Sequence, residues 1–105
     1  MTHIEELRTV IHKLHGAKAT HRVSVPVKEV WQGETVWDGI VEVFDLHGHP
    51  NANTAYAWLH DTGDSDKPIQ HVTVLHIAPV LSATMAVRAA IREEFRSDHT
   101  EETKV

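Results

Sequence analysis

The run from His21 to Leu46, HRVSVPVKEVWQGETVWDGIVEVFDL, decides the fold. Its apolar residues recur with a period of two, the pattern of strands that turn one face inward. In the first half, Val23, Val25 and Val27 alternate with Arg22, Ser24 and Lys28. Pro26 lacks an N–H to give to a ladder, which places this strand at a sheet edge. Gln32-Gly33-Glu34 reads as a turn, and a second strand runs from Thr35 to Leu46. There Trp37, Val41 and Val43 lie on one side, with Ile40, Phe44 and Leu46 on the other. Apolar residues on both sides predict a central strand, or a bulge near Gly39.

Upstream, the rhythm is helical. Ile4, Leu7, Ile11 and Leu14 are spaced by three and four, and Val10 widens the stripe. Thr2 and Glu5 make a capping box, and Gly16 is placed to end the helix in a left-handed conformation. Downstream, a loop from His47 to Asn53 leads to a third strand, Thr54 to His60. A polar turn, Asp61 to Pro68, precedes a fourth strand, Ile69 to Ala78. Pro79 stops that strand, and Ser82 caps a second helix over about residues 83–96, with Val87, Ile91 and Phe95 spaced by four. Residues 1–96 therefore read as one domain, and Ser97 to Val105 as a polar tail. The order is α-β-β-β-β-α, and the short links predict an antiparallel meander. The expected fold is α+β: a two-layer sandwich in which a four-stranded meander sheet carries an N-terminal and a C-terminal helix.

Composition sets the broad class. Hydrophobic residues make 41% and charged residues 24% of the 105, as in ordinary globular domains. No stretch approaches the roughly 20 apolar residues of a membrane span. The start, Thr2-His3-Ile4-Glu5-Glu6, is too polar and acidic for a signal peptide. With no cysteine there is neither a disulfide nor a thiolate zinc site. A cytoplasmic protein of bacterial type is expected. A net charge of −5 argues against nonspecific nucleic-acid binding, which draws on Lys and Arg against phosphates.

The segments Thr35 to Pro50, Ala55-Tyr56-Ala57-Trp58 and Ala86 to Ile91 resemble a family of small bacterial single-domain proteins, over about residues 14–96. That resemblance implies a single bacterial domain and carries no activity with it. The element order is also similar to double-stranded-RNA-binding domains. Those have three strands and a basic start to the second helix, whereas Ser82-Ala83-Thr84-Met85 carries no Lys or Arg, so that class is rejected.

Ten histidines are the most unusual feature of the composition. Their charge changes close to the sequence pI of 6.0. Solubility should therefore be lowest near that pH, where net charge vanishes and colloidal repulsion is weakest. A precipitation profile against pH with no minimum there would contradict this expectation. In a meander, His21 lies at the sheet end that also holds His47 and His49. Gly48 would let the His-Gly-His loop curl, and a third nitrogen from His21 or His15 would complete a three-ligand zinc site. No other cofactor is implied. At the opposite end, His60-Asp61 with His71 could form a general-base pair oriented by a carboxylate. Glu42 and Asp38 share one face of the second strand and read as solvated carboxylates. Asp61, Asp64 and Asp66 fail the calcium-loop register, because Val72 stands where a bidentate Glu is needed. The terminal Thr103-Lys104-Val105 matches only a minimal pattern for peptide capture.

The aromatic residues point elsewhere. Ala55, Ala57 and Leu59 would let helices approach one side of the third strand. Tyr56 and Trp58, with Ile40 and Phe44, would then form an uncovered apolar face, an interface or a ligand groove. Homodimerisation and a small apolar ligand are the expected partnerships. The expected function is that of a non-enzymatic interaction module self-associating through this face. The alternative is a small histidine-dependent enzyme or metal-binding protein with its site at a sheet end.

Overall fold

The computed structural model describes residues 2–61, 65–66 and 69–92. The tail from Ser97, Phe95 of the expected second helix, and most of the expected turn from Asp61 to Pro68 lie outside the described residues.

Helix α1 spans His3–His15. The Thr2 hydroxyl accepts the Glu5 N–H at 3.2 Å, which satisfies one of the orphan donors of the first turn. Gly16, at φ 66°, closes the helix with its N–H on the His12 carbonyl. That left-handed cap strains any residue with a Cβ. Four strands follow: β1 Lys18–Trp31, β2 Glu34–His47, β3 Thr54–Asp61 and β4 Ile69–Leu75. All neighbours are antiparallel, in the order β1-β2-β3-β4, so the expected meander is present. Residues 83–92 form helix α2. Ser82 caps it, accepting the Met85 N–H at 3.2 Å. No helix among the described residues is long and apolar enough to cross a membrane.

The α+β class and the element order are as the sequence predicts; the layering is richer. The two helices cover opposite faces of the sheet, giving three layers. On one face, Leu7 and Ile11 of α1 pack on Ala19, Phe44, Leu46, Ala55 and Ala57. The small alanines let the helix sit close to the strands. On the other face, Ala83, Ala86 and Val87 of α2 pack on Val27, Val41, Val43, Tyr56 and Trp58. The Trp37 ring meets Trp58 edge to face, with centroids 5.5 Å apart. The two-sided apolar pattern of β2 thus reflects a strand buried on both faces.

The β1–β2 hairpin is long and closes tightly. Gln32 (φ 51°) and Gly33 (φ 79°) form a two-residue turn with both central residues left-handed. That geometry matches the twist of the flanking strands. The register breaks between His21 and Val23 and between Glu29 and Val30, rather than at Gly39. Gly39 serves a different purpose: the Trp37 indole lies over it, and a Cβ there would sit 3.1 Å from the ring. β3 pairs with β2 only from Glu42 to Asp45. The outer half of the hairpin therefore extends past the rest of the sheet.

Candidate functional site

A buried carboxylate gathers the most polar chemistry on the α1 face. Glu42 follows Ile40 and precedes Phe44 at alternate positions of β2, so its side chain enters that face. It is 3% exposed. His3, in the first turn of α1, donates from Nε2 to Oε2 at 3.0 Å. His21 of β1 donates from Nε2 to Oε1 at 2.9 Å. Ser24, directly across the ladder from Glu42, donates its hydroxyl to Oε1. Burial raises the Glu42 pKa, but the Ser24, His3 and His21 hydrogen bonds and the His21 charge outweigh it and hold the carboxyl below its ordinary value. The His21 ring also meets Phe44 edge to face, with centroids 5.5 Å apart.

This arrangement positions rather than reacts. In a serine–histidine–carboxylate relay, the hydroxyl and the carboxylate bond opposite ring nitrogens. Here Glu42 and Ser24 both lie on Nε2 of His21, the hydroxyl at 3.5 Å. A carboxylate held ionised by three donors is also a poor proton acceptor near neutrality. Its effect is mechanical: Glu42 ties the start of α1 and the edge strand β1 to β2.

A second polar cluster lies on the α2 face. The Tyr56 hydroxyl, its pKa raised by burial against a smaller opposing effect of Arg22, donates to Nδ1 of His76 at 2.6 Å. Arg22 bridges the Asp45 carboxylate at 2.7 Å and the Thr54 hydroxyl at 2.9 Å.

The residues singled out from the sequence are distributed differently from the expectation. Phe44 is buried beneath α1, while Tyr56 and Trp58 are buried beneath α2. Their expected open face does not form, because each face has its own helix. Ile40 alone of the four is exposed, on the outer half of the hairpin. His21, His47 and His49 are not drawn together. His21 faces Phe44, three ladder steps from the Lys18–His47 pair. Nδ1 of His49 accepts the Asn51 and Ala52 N–H groups, both at 3.0 Å, and so folds the loop. Among the described residues, no group of three or more His, Asp or Glu side chains is placed to hold a metal ion. His60 pairs with Gln70 and His71 with Leu59, so the two leave opposite faces of the sheet. His71 instead approaches Glu6 of α1 at 3.6 Å.

Sequence reasoning missed the burial of Glu42. The signal was its alternation with Ile40 and Phe44, which marks a face that carries apolar residues. Nothing in the sequence placed His3 beside it, 39 positions upstream.

Compared with known proteins, the chain matches no family model, no curated protein and no solved structure.

Proposed function

We propose that this protein is a non-enzymatic interaction module that self-associates through the outer half of its β1–β2 hairpin. The supporting observation is that four apolar side chains along it are exposed: Trp31 at 66% with Val30 and Val36 toward the turn, and Ile40 at 50% further along the ribbon. α2 reaches the inner side of this segment at Val27, Glu29 and Trp37, but leaves these four side chains exposed. Trp is the residue type most often found at the energetic centre of an interface. β1 is also an edge strand, with one row of backbone groups open to a partner. A stable dimer buries about 800 Å² on each copy, more than four side chains supply, so the β1 edge would contribute beside them. A second copy of the same hairpin meets both requirements through a two-fold contact.

Sedimentation equilibrium over a wide concentration range tests this reading. The wild type should reach twice its 11.8 kDa mass. Trp31→Glu should weaken association by about 30-fold or more while leaving the melting temperature of the dilute monomer unchanged. An 11.8 kDa wild-type particle at every concentration would overturn the proposal.

A further inference from the structure

We infer that the cleft between α1 and the start of β1 binds a phosphate monoester. The cleft is about 350 Å³, within the lower range of small-molecule pockets. Glu5, Arg8, Thr9 and His12 line it from α1, and Lys18 and Ala19 from β1. The four helix residues recur at spacings of three and four, so they form one stripe. That stripe is separate from the buried Leu7 and Ile11.

Three cationic or protonatable groups, Arg8, His12 and Lys18, line the cleft against one carboxylate, Glu5. Arg22 is tied to Asp45, and Arg88 to Glu29. Arg8, His12 and Lys18 form no such ion pair among the described residues. In a chain of net charge −5, unneutralised cations lining one cleft favour an anion. The Arg8 guanidinium is also fixed in place. Its Nε donates to the Ala19 carbonyl at 3.0 Å, bridging helix and strand. Its two terminal nitrogens make no hydrogen bond among the described residues, and as a planar fork they can meet two oxygens of a phosphate. Holding the fork in advance lowers the ordering cost of binding.

The remaining lining selects an ester over a bare oxyanion. A phosphate monoester carries between one and two negative charges at neutral pH, matching Arg8 and Lys18, with His12 as a further donor. Glu5 lies two turns before His12, about 10 Å along the helix. Arg8 stands between the two, so repulsion from the Glu5 carboxylate directs the phosphate toward the Arg8–His12 side, with Lys18 of β1 as a further cation. The same carboxylate accepts a hydroxyl from the organic part of the ligand. The Thr9 hydroxyl takes no part, because it donates to the Glu5 carbonyl at 3.0 Å. Lys18 and Trp31 are at opposite ends of β1, so this site stands or falls independently of the hairpin interface.

Amide NMR titrations of the full chain, in a phosphate-free buffer, test the site with glycerol 3-phosphate, inorganic phosphate and glycerol. Glycerol 3-phosphate should give saturable shifts centred on Arg8, Thr9, His12, Lys18 and Ala19. Inorganic phosphate should bind the same residues more weakly, and glycerol should not bind. Arg8→Gln should weaken binding by about tenfold. Because that change also removes the bond to Ala19, Lys18→Gln is the companion variant. The Lys18 side chain makes no hydrogen bond or ion pair among the described residues, and its loss should cost roughly threefold or more. Lys28→Gln, on the hairpin, should leave binding unchanged. Wild-type affinity in both cleft variants, or unsaturable shifts spread over many basic residues, would overturn the site. Equal affinity for inorganic phosphate and the ester would overturn the ester assignment.

Discussion

Replacing Trp58 by glutamate is expected to leave no folded domain at neutral pH. Trp58 is 3% exposed and sits in the core beneath α2, against Trp37 and the valines of β2 and β4. Deleting such a side chain costs about 3–5 kcal/mol. A carboxylate in its place adds the penalty of an unpaired buried charge. Domains of this size have only about 5–15 kcal/mol to lose. Trp58→Ala should therefore melt at a much lower temperature, and Trp58→Glu should show no cooperative melt by circular dichroism. A folded Trp58→Glu protein that had merely lost self-association would place Trp58 in an interface and remove α2 from that face.

The second large effect is at Glu42. Glu42→Ala strands His3, His21 and Ser24 without their common acceptor and leaves a space beneath α1. The expected loss is about 2–3 kcal/mol, read from urea unfolding midpoints at constant slope. The same carboxyl should govern part of the acid response. Its pKa is depressed in the folded state, so the unfolded chain binds the proton more readily. The stabilisation is complete above the ordinary value of 4.5 and is lost as pH falls from there through the folded value. Glu42→Gln should be less stable than wild type at neutral pH, and the gap should narrow at about pH 3.5. A gap that stays constant with pH would mean that Glu42 is not held ionised by these donors.

Local features were the most legible in the sequence. Thr2, Glu5 and Gly16 marked both ends of α1, and Leu7 and Ile11 its buried side, because caps and stripes depend on neighbours close in the chain. Pro26 signalled the edge strand, and Gly33 the turn, for the same reason. The side of the sheet taken by α2 was not legible. An amphipathic stripe such as Val87 and Ile91 says that a helix covers something, not which face it covers. The alternation in β3 was correct, with Ala55 and Ala57 opposite Tyr56 and Trp58. Both sets are buried because the connection through residues 76–82 carries the chain to the second face. Glu42 was hidden by a similar limit. A charged residue in a strand reads as solvated until its partners arrive, and two of them, His3 and His21, come from distant positions. The expected grouping of His21, His47 and His49 is not seen among the described residues. An end-of-sheet argument groups histidines to within a few residues, whereas ligation needs them on one face at matching ladder steps.

Hydrogen–deuterium exchange on dilute and concentrated samples of the wild-type chain tests the hairpin interface most directly. Concentration should add protection to amides between Pro26 and Ile40 while leaving those of α1 and β4 unchanged. Protection that does not change with concentration, or that rises on α1 or β4 instead, would contradict it.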